Sequence, residues 1–373
     1  MPAHFTLLFP ETHADFTVTL MKTIRVSNDS QTHHLPPAGG SFQFFMHHHS
    51  QIVPMSDKEA MWFSFSSSFD STPVAVKILA GGINTITGEK ETGDARSVLI
   101  NNEPNGYGQN YMIVPGQPWL SGFKTKDNKV RQFIAVTLGK GLSVEEKLEK
   151  TQTGGIQFIV FPIKQETLQK LDKKYILPRS TWQEGPFGLE NDDGLVECCL
   201  MLEDLNEKSE TLEVMGLGAG GEIAQEIIAS PFVADDFDPA KAKYIELQLV
   251  NDKQFCELNR LPAPPRQPTE AEYTNAGGLW FDYLTKETTV ATHPDSRLLA
   301  LDTPKIDSIS QLSALDQKSQ GPEVPEDQLI HLVDVSLSSR SPSPNLGFFN
   351  QLRRCFPCLP HKKDETDNTK LIL

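Results

Sequence analysis

Residues 109–141, QNYMIVPGQPWLSGFKTKDNKVRQFIAVTLGKG, decide how the rest of the chain reads. Two runs rich in β-branched and aromatic residues, 110–114 and 130–138, predict two strands. Between them Pro115 and Pro118 hold Val114 and Gln117 extended, while Gly116 and Gly122 permit positive φ on either side of Trp119. An indole in such a turn has few rotamers, so it either plugs the end of a core or forms a platform for a ligand. The polar run 124–129 reads as an exposed loop. Arg131 then has the fork that grips a carboxylate or phosphate, or an internal acid or carbonyl. Gln117, Trp119, Arg131 and Gln132 are therefore the candidate ligand-binding residues.

Outward from this stretch the pattern is strand-like on both sides. Residues 3–9 and 15–26 are short β-branched and aromatic runs. Residues 61–66 and 73–84 (PVAVKILAGGIN) alternate, with Lys77 facing outward as in a half-buried antiparallel strand. Residues 85–108 form a long polar insertion ending in the turn signal Asn105-Gly106. Ser143 and Glu146 make a capping box for a short helix over 144–150, where Glu145 and Glu146 offset the dipole and need no catalytic role. GGIQFIVFP is a further strand stopped by Pro162. A helix and an irregular connection over 163–194 mark a boundary, and 195–203 reads as a buried strand whose Cys198 and Cys199 point to opposite faces.

The blocks GQPWLSG, VRQFIAVTLGKG, GGIQFIVFP, MGLGAGG and EYTNAGGLWFDYL, in that order, resemble a family of uncharacterised proteins of fungi and bacteria. With MWFSFS and AVKILAGGINTITGE the resemblance spans most of the chain to about Glu287. It implies homology of the central region and supplies no activity, cofactor or catalytic residue.

The chain has 373 residues, enough for a real core, and a formal net charge of -15 that repels phosphate backbones, so nucleic acid is not an expected partner. Five cysteines and an N-terminus without a basic, uninterrupted apolar leader predict a reducing, cytosolic compartment. No apolar run is long enough to span a bilayer.

Four constellations invite chemistry. His33, His34, His47, His48 and His49 crowd one region, with no Cys or acid spaced to complete a metal site, so a solvated or strand-edge histidine cluster is expected. Gly216, Gly218 and Gly221 satisfy G-x-G-x-x-G between a strand over 211–215 and a helix over 222–229; the nucleotide-binding reading needs alternating helices and parallel strands that the neighbouring sequence lacks. The alternative is a tight glycine turn. Asp235, Asp236 and Asp238 lack the glycine and terminal glutamate of a calcium loop. Thr269 caps a short helix, and Trp280, Phe281, Tyr283 and Leu284 form either an aromatic clasp on the core or a ligand platform around Asp282. No metal and no cofactor is expected.

Beyond about residue 288 the sequence turns Ser-, Pro- and acid-rich, and disorder is expected apart from LIHLVDVSL. In GFFNQLRRCFPCLPHKK, Cys355 and Cys358 lie among phenylalanines and basic residues, which suits double S-acylation at an anionic membrane face. Unmodified thiols, redox chemistry or a metal role are the alternatives.

These readings predict a mainly β chain with a two-layer antiparallel β-sandwich-like core and a few short helices, α+β being the second choice. The expected divisions are an N-terminal β-rich region 1–165, a connection 166–194, a C-terminal part 195–287 and a tail 288–373. The expected function is a non-enzymatic interaction module for an unknown protein or small-molecule ligand, cytoplasmic and peripheral to a membrane through its acylated tail. The alternatives are a hydrolase or transferase with a cleft near Trp119 and Arg131, and a nucleotide-binding protein using Gly216–Gly221.

Overall fold

Alternation along a strand sends every second side chain to one face, and in ADFTVTLMKT that set is Phe16, Val18 and Leu20, all fully buried. They face Phe63 and Phe65 of the neighbouring strand, with Val18 opposite Phe65 and Leu20 opposite Phe63. The same device repeats throughout a computed structural model that describes residues 4–47, 50–68, 71–101, 108–170, 195–197, 212–262, 267–284, 288–292, 296–301 and 322–333.

The N-terminal strands are β1 (Phe5–Phe9), β2 (Ala14–Thr23), β3 (Thr32–His33), β4 (Ala38–Ser41), β5 (Phe45–His47), β6 (Ser50–Met55), β7 (Ala60–Ser66), β8 (Val74–Ala80) and β9 (Ile83–Asn84). The middle of the chain adds β10 (Met112–Val114), β11 (Trp119–Leu120), β12 (Gly122–Lys126), β13 (Lys129–Thr137), β14 (Ile156–Pro162) and β15 (Leu195–Glu197). Then come β16 (Val214–Ala224), β17 (Lys243–Asn251), β18 (Trp280–Leu284) and β19 (Leu329–Val333). The α-helices are short: α1 (Val144–Leu148), α2 (Gln165–Lys170), α3 (Asp252–Asn259) and α4 (Glu270–Asn275).

The protein is mainly β. One half of the main sheet runs β15-β1-β2-β7-β13-β16 and the other β6-β17-β14-β8-β10, joined where Val214 and Met215 pair with Val250 and Leu249. The pairing is antiparallel except for β16 with β3 and β17 with β6. The two halves face each other across one apolar cluster, to which β2, β7 and β13 contribute from one side and β8, β14 and β17 from the other. Phe63 meets Phe158 edge-on across that core at 5.1 Å. The second half is apolar on both faces: Ala75, Leu79, Ile159 and Phe161 pack outward under Phe232 and Phe237.

Several expectations need correction. Lys77 stands on the outer face of its strand, with Ala75 and Leu79, but not in solvent. It is fully buried, paired with Glu91, and its Nζ donates to the carbonyls of Ala95 (3.2 Å), Arg96 (3.3 Å) and Val98 (2.7 Å), so it clamps the 85–101 insertion onto the sheet. The polar run 124–129 is a hairpin, β12 against β13, whose tip at Lys126, Asp127 and Asn128 is exposed as expected, while Lys124 and Thr125 are buried. Gly216, Gly218 and Gly221 form neither a turn nor a helix start, because they lie inside the continuous strand β16, and the helix expected over 222–229 is absent. Glycine is required there by close approach: a Cβ on Gly216 would meet Glu145 Oε1 at 2.6 Å, and one on Gly221 would collide with the Ser27 carbonyl. The phosphate-cradle geometry behind the nucleotide-binding reading is thus missing.

The fold also continues past residue 288. Val290, Leu298 and Leu301 are buried in the main core, Ala229 N–H donates to the carbonyl of Thr288 (2.8 Å), and β19 pairs with β18. The expectation placed on Cys198 and Cys199, the turn at Asn105-Gly106, and the acylation of Cys355 and Cys358 concern positions outside the described residues.

Candidate functional site

The segment leaving β2 wraps the end of the first half of the sheet. Gln132 holds it there, its Oε1 accepting from Val26 N–H (3.0 Å) and its Nε2 donating to the carbonyl of Ile24 (2.9 Å). β3 then lies parallel to Glu222 and Ile223 of β16, and Leu35 exchanges both backbone hydrogen bonds with Phe281 (2.9 and 3.1 Å). This wrapping sets Ser27 and His33 against Glu270 of α4, His34 against Asp282 of β18, Asn28 against Arg131 and Thr32 against Glu222.

His33 is the centre of these contacts. It is 6% exposed, with Nδ1 2.9 Å from Glu270 Oε1 and Nε2 3.0 Å from Asp29 Oδ1. A carboxylate only accepts, so this geometry suits the protonated ring, in which both nitrogens donate. Burial alone would lower its pKa, but the hydrogen bond and charge of Glu270, joined by those of Asp29, prevail and raise it above 6.5. Glu270 Oε2 in turn accepts from Ser27 N–H (2.8 Å) and Ser27 Oγ (2.7 Å). Glu270 opens α4 under the capping box of Thr269 and Glu272, so the helix leading into β18 is fixed to the body by charge as well as by packing.

Around this centre lie two further groups. Glu222, beside β3, accepts from Thr32 Oγ1 and Lys129 Nζ (both 2.6 Å); burial opposes it, yet these bonds and the lysine charges hold it below the usual carboxylate range. Asp282 on β18 stands between two histidines, with His34 Nδ1 2.5 Å from Oδ1 and His331 Nδ1 3.5 Å from Oδ2.

His331 belongs to a strap. Residues 329–333 run parallel to 280–284, so that Trp280 pairs with Leu329, Phe281 with Ile330 and Asp282 with His331. Val324, Leu329 and Ile330 pack against the cluster of Trp62, Trp119, Trp280 and Phe281. With its amide turned to satisfy both groups, Gln328 donates to the carbonyls of Thr274 (3.2 Å) and Gly278 (2.9 Å). Backbone ladder, apolar anchors and one polar reader are the components of strand addition to a sheet edge.

The four candidate ligand-binding residues are all buried inside this end. Trp119 is 3% exposed and plugs the aromatic cluster. Gln117 Nε2 donates to the carbonyls of Trp119 (3.0 Å) and Glu226 (3.1 Å), and its Oε1 accepts from Ile228 N–H (2.8 Å). Gln109 and Gln225 do the same nearby, Gln109 receiving Ser230 N–H (2.7 Å) and Gln225 receiving Ser121 N–H (2.8 Å). Side-chain amides thus stitch 225–230 to 109–121 where no strand ladder joins them. Arg131 Nη1 donates to Asn28 Oδ1 (2.9 Å) and the Gly220 carbonyl (3.2 Å), the ordinary of its two expected kinds of partner. These side chains build the end rather than line an open cleft.

His33, expected in a solvated or strand-edge cluster, is buried and paired. Its partner Glu270 lies 237 positions away in the chain, and no local spacing signals such a pair. Among the described residues no group of three or more His, Cys, Asp or Glu is arranged to hold a metal ion, and no helix is long and apolar enough to cross a membrane. Compared with family models, curated proteins and solved structures, the chain finds no match.

Proposed function

We propose that this chain is an interaction module whose working surface is the β18 edge, a receiving site for an extended segment, and that its C-terminal tail tethers the module to a membrane face. The observation that carries the reading is the parallel ladder between β18 and residues 329–333, a segment from far along the chain seated on the aromatic end. The charged group beneath it favours a structural over a catalytic role. Both ring nitrogens of His33 are engaged by carboxylates, which leaves neither turned to a reacting group, and the Ser27 hydroxyl donates to Glu270, not to the ring.

The tether rests on Cys355 and Cys358, which stand 22 and 25 residues beyond Val333. A chain of 22 residues reaches at most on the order of 75 Å, so a docked strap would keep the module close to its anchor. Calorimetry tests the receiving site: a peptide of residues 322–336 added to the full-length chain carrying Leu329→Asp and Ile330→Asp should bind one to one. An absence of binding to the folded variant contradicts the reading. Mass spectrometry of the tail from membranes that finds both thiols free removes the tether.

A further inference from the structure

Resting on that reading of β18, the geometry points to the partner it takes: an extended peptide presenting, in order, a side-chain donor, two apolar side chains and a basic side chain, for which residues 328–331 are the built-in competitor. Each requirement comes from a group on the receiving side. The carbonyls of Thr274 and Gly278 both point at the side chain of Gln328, and two acceptors call for a donor; a carboxylate there would face oxygen alone. Leu329 and Ile330 lie on the tryptophan cluster. The next position stands opposite Asp282, whose other oxygen is already engaged by His34 at 2.5 Å, so a cation is favoured and an acid repelled. The parallel ladder reads backbone only and accepts any sequence, so these side-chain contacts set the register.

The strap has the character of an exchangeable occupant. Its own side chains stay partly open: Leu329 and Ile330 are only half-buried, His331 is 59% exposed, and Glu323, Pro325, Glu326 and Asp327 are exposed, whereas Trp280 beneath them is fully buried. Twenty residues separate Leu301 from Pro322, and a segment joined over that length competes at an effective concentration on the order of millimolar. A partner must therefore match the pattern better than the strap does, or arrive when the strap has been displaced.

Fluorescence anisotropy with labelled peptides of residues 322–336 tests this on the full-length protein. The chain carrying Leu329→Asp and Ile330→Asp should bind the native peptide at least tenfold more tightly than the unaltered chain. On that variant the His331→Lys peptide should bind within about threefold of the native one, and the His331→Glu and Gln328→Glu peptides at least tenfold more weakly. A second variant, Asp282→Asn, should bring the His331→Lys and His331→Glu peptides within threefold of each other. Equal binding of all peptides, or an unchanged Lys-to-Glu ratio in Asp282→Asn, overturns the assigned pattern while leaving a strand-receiving edge. No binding of any peptide by a variant with native circular dichroism and melting overturns the edge itself.

Discussion

Glu270 Oε1 stands 2.9 Å from His33 Nδ1, and this contact joins the first helical turn of α4 to a segment that precedes it by more than two hundred residues. The pair is buried, so its strength depends on the charge state of the ring.

The His33 pKa is raised above its unfolded value of 6.5, so its contribution to stability is complete below that pH and drains away as pH rises through the folded-state value. Urea melts between pH 6 and pH 9 should show this decline. His33→Leu should flatten it and cost about 3 kcal/mol at pH 6, because Glu270 and Asp29 lose their cation in a desolvated site.

Glu145 supplies a second acid-favouring slope. It is fully buried at the start of α1, tight against Gly81 and Gly216, and burial pushes its pKa to about 7, against which Ser143 and the Gly154 N–H act only in part. The folded state therefore keeps a proton that the unfolded chain releases above 4.5, and stability falls between pH 4.5 and about 7 by on the order of 3 kcal/mol. Glu145→Gln should remove this slope, leaving the protein more stable than its parent at pH 8 and not at pH 4.

Lys77 and Glu91 form an ion pair on the outer face of the second half-sheet, in which burial lowers the lysine pKa and raises that of the carboxyl despite their mutual attraction. Lys77→Met should cost about 3–5 kcal/mol by leaving Glu91 alone beside Asn84 and Asn110. The double change Lys77→Met with Glu91→Leu should recover much of that loss in chemical denaturation.

The glutamine stitches predict a third kind of loss. Gln117→Ala leaves the Ile228 N–H and the Trp119 and Glu226 carbonyls without this partner, which should cost about 2–3 kcal/mol. Amide exchange should accelerate first at 226–230, the segment that loses its hold.

What the sequence made legible was whatever depends on neighbouring residues. The β-branched and aromatic runs over 15–26 and 154–162 marked strands, and the capping boxes at Ser143 and Thr269 both form. Of the aromatic clasp, Trp280 and Phe281 are buried. What stayed hidden depends on who sits opposite. Lys77 resembles any outward lysine of an amphipathic strand until the 85–101 insertion folds over it and offers three carbonyls. The triple-glycine run looks like a loop until Glu145 and the Ser27 carbonyl press on it from two sides. The polar hairpin at Lys124 is masked in the same way, since Thr292 of the later chain covers it. The charged group at His33 unites the segment after β2 with α4, more than two hundred residues later, so only tertiary placement reveals it.

Hydrogen exchange of the intact chain measures the central claim, that residues 329–333 are docked as a strand on β18. Amides of 329–333 should be protected together with those of 280–284, and Leu329→Asp with Ile330→Asp should release the former while leaving β2 and β7 unchanged. Exchange of 329–333 at the rate of an unstructured peptide in the unaltered protein would contradict it.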